Sequence, residues 1–203
     1  MISANNESNL PAKRRVEPFP RVFFAAACLV ALLDQITKWA VARALPWVDN
    51  TPVYNLNSAS AKPVEVVKDF FYIVHITNEG AAWGMLSGQT YLLSSIALVT
   101  LSAMWIFRRE LGFKNPVLQV AMGLFGGGIV GNLLDRIFRG QVVDFLDVHL
   151  PFVNYRWPAF NVADCAIAAG VTLYIIVSML MDFRQKAEVK SGMQKLQDGV
   201  DGK

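Results

Sequence analysis

Four long apolar stretches punctuate the chain: Val22–Val41, Tyr91–Phe107, Val117–Leu134 and Val162–Met181. Each approaches the roughly 20 apolar residues that an α-helix needs to cross a bilayer. The pattern predicts an all-α polytopic membrane protein with four transmembrane helices and a small extracytoplasmic β-rich region. Residues 21–183 would form the membrane domain, between polar tails at 1–20 and 184–203. The run Phe70–Ile76 is rich in β-branched and aromatic residues and predicts a strand, with a turn over Thr77–Gly80; Gln141–Leu150 predicts a second strand. Neither can present a bare edge to hydrocarbon, so a small sheet on the outer surface is expected. Val189–Leu196 could extend the last helix along the membrane surface, and Trp47–Lys62 is polar and turn-rich, with no assignable structure.

Composition agrees with a lipid-facing chain. Of 203 residues, 54% are hydrophobic and 17% charged, against about 25% charged in an ordinary soluble domain. A net charge of +3, without a basic stripe carrying interleaved aromatics, gives no case for nucleic-acid binding. Lys13, Arg14, Arg15 and Arg21 precede the first stretch, Arg108, Arg109 and Lys114 lie between the second and third, and Arg184, Lys186 and Lys190 follow the fourth. Basic loops stay in the cytoplasm. Both termini are therefore expected there, with residues 42–90 and 135–161 outside.

The start of the first stretch also suits a cleavable signal peptide ending at Ala42-Arg43-Ala44, but Asp34 and Lys38 interrupt it. Cys28 follows three alanines in the loose manner of a lipidation site, yet almost no apolar run precedes it. A retained helix is expected. Cys28 and Cys165 lie in apolar segments and are expected to be packing residues. No zinc spacing is present, and His75 and His149 stand in no Cys-His signature.

The third stretch carries Gly123, Gly127 and Gly131, four apart on one helix face, which suits close helix packing. Gly126 and Gly128 are expected to loosen the helix.

Charges inside a bilayer cost at least about 2.5 kcal/mol near its centre, so the ionisable residues need a reason. Asp34 and Lys38 share a face and suit an ion pair. Asn132, Asp135 and Arg136 close the third stretch, where headgroup anchoring competes with function. Asn161 and Asp164 suit an N-cap and first turn of the fourth helix. Asp144 sits in the apolar run Val142-Val143-Asp144-Phe145-Leu146 and would hold its proton more tightly there. An Asp144–Asp147–His149 metal site lacks further ligands. On the inferred topology Lys38, Asn132, Arg136, Asp144, Asn161 and Asp164 all approach the outer face. That grouping favours a site without naming a reaction.

Asp34-Gln35-Ile36-Thr37-Lys38, Asn78-Glu79-Gly80-Ala81-Ala82-Trp83, Gly131-Asn132-Leu133-Leu134-Asp135-Arg136, Val143-Asp144-Phe145 and Phe160-Asn161-Val162-Ala163-Asp164 occur in this order. Together they closely resemble the lipoprotein signal peptidase (signal peptidase II) family, over roughly Val22 to Met181. The resemblance implies an aspartic endopeptidase of the bacterial cytoplasmic (inner) membrane, which removes the signal peptide of diacylglyceryl-modified prolipoproteins just before the lipidated cysteine. It implies Asp144 and Asp164 as the catalytic dyad, with Asp34, Lys38, Asn78, Asn132, Arg136 and Asn161 lining or supporting the site. Expected partners are lipid-modified signal peptides and membrane lipid. No cofactor or metal is expected, and the enzyme is expected to be a monomer. Glu79 stands where a small or polar residue is usual, Trp83 where Phe is common, and Trp47–Lys62 adds loop length. Two rival functions remain: a proton-coupled transporter using Asp34, Lys38 and Asp164, which would prefer midplane charges and repeats, and a non-catalytic scaffold, which leaves the two Asp motifs unexplained.

Overall fold

A computed structural model describes residues 21–47, 63–81 and 85–201. The expected tail over 1–20, residues 48–62 of the long loop, and Ala82 and Trp83 lie outside the described residues. Four helices and a small sheet follow one another as α1 (Arg21–Ala44), β1 (Val64–Val67), β2 (Phe71–Asn78), α2 (Thr90–Ile106), α3 (Pro116–Arg139), β3 (Val142–Leu150), β4 (Tyr155–Arg156) and α4 (Val162–Asp201), with a 3-10 turn at Pro151–Val153 between the last two strands.

Among the described residues three helices are long and apolar enough to cross a membrane: Arg21–Ala44, Pro116–Arg139 and Val162–Gln194. The second expected span, α2, has only 17 residues, at the lower limit of spanning length. Its boundaries fall within one residue of the expectation at each end. α4 runs unbroken for 40 residues, so the segment expected as a polar tail is helical through Asp201.

α3 is the centre of the bundle, and glycine makes that possible. A Cβ on Gly127 would lie 2.6 Å from the carbonyl oxygen of Ala27, and one on Gly123 would lie 2.7 Å from the Ala26 side chain, so this stripe admits α1 at backbone distance. Gly128 faces Ala163 of α4, and Gly126 faces Met104 of α2. The two extra glycines thus do not loosen α3, which is continuous; they open two further faces to neighbours. Asn115 caps the start of α3 by accepting from the Val117 and Leu118 amides, Pro116 occupies the first turn, and Gly140 ends the helix in the left-handed region at φ 76°.

The strands form one antiparallel sheet in the order β1-β2-β3-β4. Both expected strands are present and paired. β2 runs through Asn78, because Thr77 and Asn78 pair with Val143 and Val142 instead of turning. A bulge between Ile73 and Ile76 sets Val74 and His75 of β2 against Phe145 of β3, which aligns Ile76 with Asp144. Beyond β4 the chain returns to β3: Phe160 exchanges backbone hydrogen bonds with Leu146, at 3.0 Å from its amide and 2.8 Å to its carbonyl. This closure puts Asn161, at the entrance to α4, beside Asp144.

Candidate active site

Asn161 joins two carboxylates. Its Nδ2 donates to Asp144 Oδ1 at 2.7 Å, and its backbone amide donates to Asp164 Oδ2 at 3.2 Å. Asp164 returns a bond from its own amide to Asn161 Oδ1 at 3.0 Å. The pair is therefore a reciprocal capping box opening α4. The helix-capping role anticipated for Asn161 and Asp164 is real, and it coexists with a contact to the strand that carries Asp144.

The remaining oxygens of both carboxylates are held by amides. Asn78 Nδ2 reaches Asp144 Oδ2 at 3.1 Å, and Asn132 Nδ2 reaches Asp164 Oδ1 at 2.7 Å. Behind Asn132 sits Lys38, fully buried, donating to Asp34 Oδ2 at 2.8 Å, Asp135 Oδ2 at 2.9 Å and Asn132 Oδ1 at 2.9 Å. An ammonium has three hydrogens and accepts nothing. All three are used, and the amide of Asn132 must present its oxygen to Lys38. Its nitrogen is thereby aimed at Asp164.

Asp34 does more than pair with Lys38. Its Oδ1 accepts the Ala163 amide at 2.9 Å, which caps α4 from α1, and a Cβ at Gly131 would lie 2.5 Å from its other oxygen. Arg136 donates to the Gly80 carbonyl at 3.0 Å and the Asn132 carbonyl at 3.4 Å. It fixes the turn after β2, and its buried Nε has no hydrogen-bond partner among the described residues.

Asp144 is only 3% exposed. Burial, helped by the charge of Asp164 and opposed by the bonds from Asn78 and Asn161, pushes its carboxyl up to about 7.

All eight candidate residues meet in one network. Asp135 corrects the headgroup-anchor reading: it is 1% exposed and bonds Lys38, Arg139, Gln35 and the Val143 amide. α3 runs past Leu134 to Arg139 under the cover of β3, so Asp135 lies inside protein and not among headgroups. Gln35, which sequence reasoning left unassigned, bridges Asp34, Asp135 and the Gly131 carbonyl. Their signal was their position beside Asp34 and Arg136. Asp147 is buried against Arg156, His149 meets the Asp69 carbonyl, and no group of ligands able to hold a metal ion occurs among the described residues.

A family model described as signal peptidase (SPase) II matches residues 26–180. The lipoprotein signal peptidase of Bacillus pumilus (strain SAFR-032) is 36% identical over 166 residues, covering 82% of this chain and 97% of that protein. That of Bacillus subtilis (strain 168) is 33% identical over 165 residues, with 81% and 97% covered. A bacterial membrane enzyme solved by the in meso method at 2.3 Å superposes with a TM-score of 0.67 at 33% identity, over 81% of this chain and 90% of that one.

Proposed function

The chain belongs to the signal peptidase II family and is a bacterial membrane peptidase that removes signal peptides from prolipoproteins; we propose that it does so as an aspartic endopeptidase, with Asp144 and Asp164 as the catalytic pair. The observation that carries this is Asn161, whose side chain binds one carboxylate and whose amide binds the other. Two carboxylates this closely linked do not ionise independently, and a pair sharing one proton holds both a base and an acid. The ionised member takes a proton from water, whose oxygen attacks the scissile carbonyl carbon. The protonated member donates to the carbonyl oxygen. As the carbon–nitrogen bond breaks, the amine nitrogen receives a proton from the pair.

The supporting residues hold this arrangement. Asn78 and Asn161 fix Asp144, Asn132 and the capping box fix Asp164, and Lys38 with Asp34 orients Asn132. Arg136 holds the Gly80 turn beside them.

The substrate is a diacylglyceryl-modified precursor, cut just before the lipidated cysteine, with its acyl chains remaining in the bilayer while the peptide enters sideways. α2 completes four spans: it is apolar, lies against α3 and reaches the minimum crossing length. Both termini lie in the cytoplasm and the site near the extracytoplasmic face. One chain supplies every group of the site, so a monomer is sufficient.

The test uses purified Asp144→Asn and Asp164→Asn proteins, each shown to be folded, on a lipidated precursor. Both should lose at least about a thousandfold in kcat/KM, as expected when one member of a catalytic unit is removed. Cleavage by either at the wild-type rate would remove the pair from the chemistry. The unlipidated precursor, run beside it, should turn over poorly with the wild-type enzyme.

A further inference from the structure

Among the described residues Asp135 bonds neither Asp144 nor Asp164, yet one of its oxygens lies where the supports of both meet. Its Oδ2 accepts from Lys38 Nζ at 2.9 Å and from the Val143 amide at 3.2 Å. Lys38 leads to Asp164: it donates to Asn132 Oδ1 at 2.9 Å, and Asn132 Nδ2 donates to Asp164 Oδ1 at 2.7 Å. Val143 leads to Asp144, the next residue of β3. The Val143 carbonyl accepts from Asn161 Nδ2 at 3.4 Å. The residue before Asp144 is thus held by α3 at its amide and by the entrance to α4 at its carbonyl.

The other oxygen fixes how the carboxylate is turned. Oδ1 accepts from Arg139 Nη1 at 2.5 Å and from Gln35 Nε2 at 3.2 Å. All four partners are donors, and a carboxylate between two cations only accepts. A side-chain amide in its place would turn its NH2 toward a donor whichever way it faced, and in so buried a position an unpaired polar group is costly. Asp135 is also more than a counter-charge. Asp34 already pairs with Lys38 at 2.8 Å and joins α1 to α4. Asp135, on α3, joins Lys38 to β3. Displacing its Oδ2 would move Lys38 relative to Val143, and so move the support of Asp164 relative to the strand of Asp144.

We propose that Asp135 is a positioning residue: its Oδ2, shared by Lys38 and the Val143 amide, sets the separation at which Asp144 and Asp164 act together. This rests on the assignment of those two residues as the catalytic pair. Asp135 itself is 1% exposed and meets no substrate.

Steady-state cleavage of a lipidated precursor by purified Asp135→Asn and Asp135→Glu proteins, each checked for folding and followed across pH, tests this. Both should lose about thirtyfold or more in kcat, the scale of a misplacement near 1 Å, while KM stays within about twofold. Asp135→Asn leaves Lys38 and Arg139 with one counter-charge fewer. The charge of Lys38 favours ionised Asp144, so the decline of kcat/KM near pH 7 should move to lower pH in this variant, by about half a unit or more. Asp135→Glu keeps the charge and should keep the pH of that decline, while its extra methylene displaces the shared oxygen and lowers kcat. Wild-type kcat in either folded variant, a loss confined to KM, or an unmoved decline in Asp135→Asn overturns the proposal. Failure of both variants to fold would make Asp135 a residue of the fold alone and overturns it too. The catalytic assignment fails by a different result, wild-type cleavage by Asp144→Asn or Asp164→Asn.

Discussion

The negative charge of Asp144 works against the fold that buries it. Its carboxyl is pushed up to about 7 from an unfolded value of 3.8, first by burial and then by Asp164. The folded chain therefore binds this proton more tightly than the unfolded chain does. The stabilisation is complete below the unfolded value and is lost as pH rises through about 7. Asp144→Asn cannot ionise, so it should be more stable than wild type at about pH 8, by on the order of 1 kcal/mol or more, and should lose that advantage toward about pH 4. Chemical unfolding in detergent across this range measures it; a difference independent of pH would show that the fold does not penalise this charge. If Asp144 and Asp164 work as the proposed pair, kcat/KM should decline as pH rises through about 7 and Asp144 ionises. The apolar run around Asp144 made its tight proton legible in sequence. Its link to Asp164 was legible only through the family resemblance, because the contact itself depends on the Phe160–Leu146 closure, which no local pattern announces.

At the scale of elements, α3 determines how closely the others approach. Gly127→Ala would force a Cβ to within 2.6 Å of the Ala27 carbonyl and 2.8 Å of its Cα. Backbone cannot move aside as a side-chain tip can, so a loss of about 1–3 kcal/mol is expected. Gly192→Ala in α4 meets nothing within 4 Å and should gain about 0.5–1 kcal/mol from helix propensity. Thermal melts of the two variants compare them directly; equal behaviour would mean that α1 and α3 are not in backbone contact. The helices were legible because apolar runs of this length have few alternatives. Their ends were less so: α3 gained a turn beyond Leu134 because β3 covers it. β1 and β4, of four and two residues, were missed because such short runs carry no periodicity and owe their form to the neighbour they pair with.

For the whole molecule, the arrangement across the bilayer is the property that sequence made most explicit, through its three basic clusters, and that helix length alone leaves open at α2. Single cysteines in a chain with Cys28 and Cys165 replaced by serine read it out. With a membrane-impermeant maleimide on spheroplasts, Asp69→Cys and Asn154→Cys should label, whereas Lys114→Cys and Lys190→Cys should label only after lysis. Labelling of Asp69→Cys and Lys114→Cys from the same side would show that α2 does not cross. The charged residues that a transporter would use, Asp34, Lys38 and Asp164, are held in one network with Asn78 of β2, Asp144 of β3 and Asn132 of α3.

The bond from the Ala163 amide to Asp34 ties the first helix of the bundle to the first turn of the last. Membrane chains are made from the N-terminus onward, so α1 waits with its acceptor unfilled while α2, α3 and the sheet are synthesised. Asp164 reaches its position only when α4 arrives and docks on Asp34. With Asp164 in the proposed pair, a ribosome-bound chain that has completed three helices should carry no assembled protease, and hydrolytic capacity should appear in one step when the last helix docks. Two co-expressed fragments divided after Tyr155 should for the same reason be inert apart and active together.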